Sequence, residues 1–441
     1  MSTTPTAKPR LGRDVIVLGV VAFFVMVGFG VVVPVLPVFV RNFGVGYLEI
    51  GAVVSAFALM RLVSSPFCGW LINKGGERTI LAIGIGIVAV SSALVGIAQN
   101  YPQELILRGA GGIGSAMFSV SAMTLLLGST APEIRGRAVG FYQGGFLIGG
   151  MAGPALGGAL ALVSLRAPFF FYAGTLAIAG LIGLFLLKPA TKSTTDAAST
   201  PPKPFREVLR DRRYRAACLA NFAQGWAALG VRSALVPVLI VEALHYTPTW
   251  TGIAFAIAAV AQTLALGPAG TFVDKVGRKP AIVGAFSVGA IALFAVPFAG
   301  NIWLLIGLLC VYGVAAAFMG TAPAASVGDA AGARGGTPVA VFSMFSDFGA
   351  IIGPIVAGWL VDVWSFSAAF GVAAALMLVA SAYALRMPRA GALTRSRSAR
   401  PEFAESEATH PEAVQAEATH PLDSLATHPL PPALPDARDS A

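Results

Sequence analysis

Twelve apolar stretches follow one another along the chain, at residues 15–40, 48–72, 79–98, 103–127, 138–162, 167–187, 214–241, 250–273, 280–299, 303–325, 337–361 and 365–386, with the polar residues gathered between them. Most are long enough to cross a ~30 Å hydrocarbon core as a helix rising 1.5 Å per residue. The pattern predicts an all-α integral membrane protein of twelve transmembrane helices. Glycine and alanine recur within the stretches, and small residues let backbones approach where lipid removes the hydrophobic drive for association. A packed bundle is therefore expected. The first stretch is too long for a signal-peptide core and runs directly into further spans, so it reads as a retained span.

The stretches repeat. Residues 149–158 read GGMAGPALGG, with Gly149, Gly153, Pro154, Gly157 and Gly158; residues 349–358 read GAIIGPIVAG, with Gly349, Gly353, Pro354 and Gly358. The offset is 200. Gly30 and Pro37 match Gly230 and Pro237 at the same offset. After the second stretch comes GWLINKGGER, carrying Gly69, Asn73, Gly76 and Arg78; after the eighth comes GTFVDKVGRK, carrying Gly270, Asp274, Gly277, Arg278 and Lys279, offset by 201. Two six-helix bundles are expected, at 14–187 and 214–386. They are joined by a linker at 188–213 and flanked by a short N-terminus, 1–13, and a tail, 387–441.

Composition excludes a soluble fold: of 441 residues, 56% are hydrophobic and 12% charged. The net charge of +9 is a topology signal. With the N-terminus placed in the cytoplasm, 25 of the 30 Lys and Arg residues fall on the cytoplasmic side. Arg41 and Arg166 fall outside, and Arg61, Arg108 and Arg232 lie within spans, as the positive-inside rule requires. Both termini are expected in the cytoplasm of a cell-membrane protein, and no nucleic-acid role is implied. PFREVLRDRRYR, at the end of the linker, reads as an amphipathic helix on the membrane surface. The tail after Arg400 is rich in Pro, Ala, Glu and Thr with three Ala-Thr-His-Pro repeats, and reads as disordered.

Little material for covalent chemistry exists. Cys68, Cys218 and Cys310 have no metal-ligand spacing, three of four histidines lie in the tail, and no GxxxxGK[ST] loop occurs. Neither an enzyme, a metal site, a cofactor nor an ATP-driven pump is implied.

Over residues 14–386 the repeated motifs resemble the major facilitator superfamily. Gly270 to Lys279 is similar to its cytoplasmic loop motif GxLaDrxGrk, Arg108 to Ala116 to its fourth-span motif RxxqGxgaa, and Gly149 to Gly158 to the fifth-span motif gxxxGPxxGG. The last resembles the mark of drug:proton antiporters. The resemblance implies two pseudo-symmetric bundles that rock about a central cavity, with a small-molecule substrate, protons and the lipid bilayer as partners. Export of lipophilic or amphiphilic compounds by a monomer is the expectation. A sugar or metabolite transporter is the alternative within the class, and a non-transporting sensor or assembly factor the alternative outside it. Asn73 and Glu77 depart from the loop motif, and Gly111 from the fourth-span motif.

A charge within a span costs ~2.5–3.5 kcal/mol on insertion scales, so each should serve something. Asp347, read as the only acid deep in any span, is the candidate proton carrier. Arg108 is a second coupling candidate by the resemblance, and Arg61 and Arg232 are candidate partners for Asp347. Asp274 is suited to face the positive end of span 5 near Arg137 and to latch one conformation. The glycine-proline seams are expected to pack closely and kink. Phe23, Phe24, Tyr142, Gln143, Phe222, Gln224, Trp226 and Phe345 are candidates for a cavity that takes flat, weakly polar molecules.

Overall fold

In a computed structural model, described for residues 11–130, 134–187, 205–331 and 336–388, the chain forms the expected helices. Residues 1–10, the linker residues 188–204 and the tail residues 389–441, with their histidine repeats, lie outside the described residues. Twelve helices are long and apolar enough to span: 1 (Arg13–Val32), 2 (Tyr47–Gly75), 3 (Glu77–Gly96), 4 (Tyr101–Gly128), 5 (Arg137–Val163), 6 (Ala167–Leu186), 7 (Arg212–Ala243), 8 (Pro248–Lys275), 9 (Arg278–Phe298), 10 (Ile302–Ala330), 11 (Pro338–Val363) and 12 (Phe366–Ala384). The face on which span 1 begins and span 6 ends is called the linker face here, and its opposite the far face. Both halves fall within one compact unit.

The duplication read from the motifs extends to the packing. In the N-terminal half span 1 packs on 5 and 6, span 4 on 2 and 3, and span 3 on 6; in the C-terminal half span 7 packs on 11 and 12, span 10 on 8 and 9, and span 9 on 12. The halves meet along two symmetric seams, span 2 against span 11 and span 5 against span 8. Large apolar side chains such as Ile106, Leu162, Val163, Phe185 and Leu264 stay exposed around the bundle, as lipid-facing residues must.

The loop motifs fold the same way twice. Gly76 and Gly277 adopt φ of 75° and 117°, a region that disfavours any Cβ, and so turn the chain sharply between spans 2 and 3 and between 8 and 9. Arg78 then donates to the Leu184 carbonyl at the end of span 6. Its counterpart Lys279 donates to Leu385 O at 2.5 Å and Met387 O at 3.0 Å at the end of span 12. Both cations cap carbonyls that a helix end leaves unsatisfied.

Two expectations change at this level. From Phe205 on, the segment PFREVLRDRRYR does not form one amphipathic helix: a short helix, Phe205–Arg210, ends at Asp211, whose carboxylate accepts from Arg213 N at 2.8 Å and caps span 7. Val208 of that short helix is buried against Tyr214, Cys218 and Val327. Span 7 is also irregular, with π-helical turns at Trp226–Ser233 and Leu239–Ala243 on either side of Pro237. Proline removes a backbone donor, and wider turns absorb the defect.

Candidate functional site

Both seams are tight at the far face and open at the linker face. Along span 2, Tyr47 N and Leu48 N donate to the Asp362 carboxylate of span 11 at 3.0 and 2.7 Å. Gly51 lies against the Pro354 carbonyl, and Ser55 Oγ donates to Ile351 O at 2.6 Å. The contact ends halfway along both helices at the Arg61–Asp347 ion pair. Beyond it Phe67 and Trp70 are exposed.

Glycines record the divergence. Gly51 and Gly69 are 18 residues apart on span 2, five whole turns, and therefore lie on one face; Gly252 and Gly270 of span 8, and Gly158 and Gly140 of span 5, have the same spacing. A methyl at Gly158 would sit 2.9 Å from Thr249 O and 3.0 Å from Gly252 Cα, and one at Gly252 would sit 2.6 Å from the Pro154 carbonyl. At Gly69, Gly140 and Gly270 it would meet nothing within 4 Å. The same helix faces that touch at one end are separated at the other, as two rigid halves tilted about a seam require.

The far face is also held by charge. Arg41, just beyond span 1, donates from Nε to Glu242 Oε1 of span 7 at 2.7 Å, and Tyr47 O–H donates to the other oxygen of Glu242. The Arg41 guanidinium lies 4.7 Å over the Tyr47 ring. One acid of the C-terminal half thus gathers two residues of the N-terminal half. Sequence reading overlooked this latch because each member sits in a short loop or at a helix end.

Between the halves lies a cavity of about 430 Å³ walled by spans 1, 5, 7 and 8. Met26, Phe29, Phe146, Met151 and Phe255 supply apolar surface, and Gln143, Ser233, Gln262 and Thr263 supply polar groups. Arg232, projecting from the π-helical turn, is the only charged residue of this lining. A mostly apolar wall with a few convergent polar groups is the usual form of a small-molecule site.

The expected cavity residues divide. Gln143 lines the cavity, whereas Tyr142 is 3% exposed and packs on Phe146 inside the N-terminal core. Phe24 packs against the same core, while Phe222 and Trp226 lie ring to ring at 6.0 Å against the C-terminal core. Phe23 and Gln224 are half-buried, and Phe345 is exposed on span 11. Helical phase explains Tyr142: one residue along a helix is a 100° rotation, which carries a side chain from the cavity wall into the bundle.

The seam motifs also take a more specific role. A methyl at Gly149 would sit 2.6 Å from Phe23 O, one at Gly153 2.6 Å from Gly30 Cα, and Gly157 lies against Val31, so these three bind span 5 to span 1 within one half. Gly349 and Gly353 do the same for span 11, against Trp226 of span 7. Of the motif glycines, Gly158 and Gly358 face the other half, at Gly252 and at Tyr47 and Leu48, and the Pro154 and Pro354 carbonyls join them at Gly252 and Gly51. Most of the motif therefore stiffens each half, and its far-face end forms the contact between them.

Asp274 is 76% exposed with Arg278 at 3.9 Å, and among the described residues its expected contact with span 5 is not seen. Arg278 instead reaches Asp329 of span 10 at 2.9 Å. Asn73, the counterpart of Asp274 in the N-terminal half, is exposed as well. Arg108 is buried with its guanidinium 4.9 Å over the Phe57 ring. One turn before it Glu104 is fully buried, and neither carboxylate oxygen has a hydrogen-bond partner. Asp347 is thus not the only acid in the bundle; Glu104 lies in the first turn of span 4, a position that on sequence alone reads as solvated.

Twelve spans in two packed repeats about a cleft between them define a membrane transporter rather than an enzyme. The sequence profile of the Major Facilitator Superfamily matches residues 18–235 and again 217–422, and the chain belongs to that family. Quinolone resistance protein NorA of Staphylococcus aureus (strain COL) is 25% identical over 355 residues, covering 80% of this chain and 91% of NorA. Multidrug resistance protein 2 of Bacillus subtilis (strain 168) is 25% identical over 351 residues, 77% of this chain and 87% of that protein. Among solved structures, a bacterial homolog of the human lysosomal transporter Spinster, inward-facing and unoccupied, superimposes with a TM-score of 0.68 at 15% identity, over 84% of this chain and 94% of its own. The nucleoside transporter NupG gives 0.68 at 16% identity, over 85% of this chain and 98% of its own.

Proposed function

We propose that the protein exports small lipophilic or amphiphilic compounds from the cytoplasm in exchange for protons, by alternating access. The observation that carries this reading is the central cavity, sealed at the far face and diverging toward the basic linker face. With that face in the cytoplasm, as the positive-inside rule assigns it, the cavity collects its cargo from inside. Relatives named for resistance to quinolones and to multiple drugs support export.

Asp347 is the proposed proton carrier. It sits in the span 2–span 11 seam, and a proton on its carboxylate and the ion pair to Arg61 exclude each other. When the far face opens, the seam parts and Asp347 takes a proton from outside; when the seam closes again, Arg61 reclaims the carboxylate and the proton leaves inward. Charge then gates the same contact that opens and closes the cavity.

The test uses inside-out vesicles with an imposed proton gradient and a panel of lipophilic compounds. A transported compound is expected to dissipate the gradient in vesicles that contain the protein and not in empty ones. No dissipation across the panel, with compound still equilibrating through the protein, would replace antiport by facilitated transport.

A further inference from the structure

Among the described residues Arg232 is a cation without a counter-charge. Its Nε is buried with no hydrogen-bond partner, and the guanidinium lies 5.5 Å over Phe255 and 5.9 Å over Tyr312. Aromatic faces stabilise a cation in place without neutralising it. Asp347, its expected partner, is committed to Arg61, and Glu242 of the same span to Arg41 and Tyr47. The cavity lining contains no Asp or Glu. An arginine held at a cost of ~2.5–3.5 kcal/mol within a span is retained where it serves a ligand, a partner or a pathway. Arg232 borders the ligand cavity.

Resting on the proposed transport role of this cavity, we infer that Arg232 is the head-group receptor of the substrate site and that the preferred cargo is a monoanionic amphiphile, its carboxylate or similar acidic group on Arg232 and its apolar body against Phe29, Met151 and Phe255. The guanidinium presents planar N–H donors that match a carboxylate with two bonds at once. Its field also rejects organic cations, because bringing a second positive charge into an apolar cavity beside an unpaired arginine is costly. The π-helical turn at Trp226–Ser233 is the structural device that presents it, since a widened turn rotates the following side chains out of regular phase.

The test measures equilibrium binding at pH 8 to the purified protein in phosphatidylcholine nanodiscs, using 1-pyrenebutyrate, its primary amide and 1-pyrenebutylamine, with empty nanodiscs subtracted. The three probes share one apolar body and differ in head-group charge. The acid is expected to bind roughly tenfold or more tightly than the amide, and the amine most weakly, the range expected of a charge-assisted hydrogen bond. Arg232→Gln should bring the acid to the level of the amide and leave the amide unchanged, which also reports a folded cavity; Arg232→Lys should keep part of the preference. Equal affinities of acid and amide in the wild type, or a preference that survives Arg232→Gln, would overturn the inference. If added phosphatidylglycerol competes with the acid, a lipid is one source of the anionic ligand; if it does not, free solutes are. Acid-selective binding without gradient dissipation would sink the proton-antiport reading and leave this one standing, and proton-coupled transport without acid selectivity would do the reverse.

Discussion

Asp347→Asn is expected to abolish proton-driven export while leaving ligand binding within about threefold of wild type. Asparagine keeps the shape and can still accept from Arg61, but it holds neither a charge nor an exchangeable acid proton. Uphill accumulation in a proton gradient should fall by at least about tenfold, which is 1.4 kcal/mol of lost coupling. Downhill movement should continue. Because Arg61 then faces no counter-charge, Arg61→Gln should partly compensate in the double variant, and the double-mutant cycle should show coupling of about 0.5–3 kcal/mol between the two sites. The measurement is the ratio of gradient-driven to downhill flux in proteoliposomes. Full coupling in Asp347→Asn would contradict the assignment, and if Glu104→Gln removed coupling instead, the proton would belong to the buried acid one turn from Arg108.

Two substitutions on one face of span 8 should trap opposite states. A side chain at Gly252 collides with Gly158 N and the Pro154 carbonyl, each 2.6 Å from the added methyl, and backbone has no rotamer by which to yield. Gly252→Val should therefore prevent far-face closure. Gly270, five turns further along the same face, has nothing within 4 Å in this conformation, so Gly270→Val leaves the present state intact. When the halves rock and the linker face closes, the position should become the crowded one, and the valine should hold the protein open to the linker face. Both variants should lose most of their transport, by about tenfold or more, since overpacking a tight contact costs about 1–3 kcal/mol. They should differ in access: a cysteine replacing Val33, which lines the cavity, should react with a membrane-impermeant thiol reagent from the far side in Gly252→Val and from the linker side in Gly270→Val. The same labelling side in both variants would contradict rigid-body rocking.

How much of this was legible in the sequence depended on the kind of signal each part leaves. Spans are written as runs of about twenty apolar residues, and the duplication as constant offsets of 200 and 201, so both the bundle and its symmetry could be read directly. The matched roles of Arg78 and Lys279 follow from that offset. The partners of a membrane arginine leave no such signal. Among the described residues Arg61 pairs with Asp347 across the seam and Arg232 with rings alone, though both appear in sequence as single charges in apolar runs. Glu104 and Glu242 were passed over because acids near span ends are ordinarily solvated, and only the packing shows the first buried and the second bridging the halves. The seam glycines were visible, but which neighbour each one faces is set by a rotation of 100° per residue and by helix placement. That is why Gly153 meets span 1 while Gly158, five residues on, meets span 8.

The central claim is that two rigid halves exchange a tight far face for a tight linker face under control of the proton gradient. The most direct measurement is double electron–electron resonance on a variant freed of Cys68, Cys218 and Cys310 and carrying two alternative spin-label pairs. One pair replaces Lys74 and Lys275, exposed at the linker-face ends of spans 2 and 8 in opposite halves; the other replaces Asn42 and Thr247 in far-face loops of opposite halves. Lowering the pH, or introducing Asp347→Asn, should shorten the first distance and lengthen the second together. Distances that stay fixed, or that change at one face without the opposite change at the other, would contradict the account.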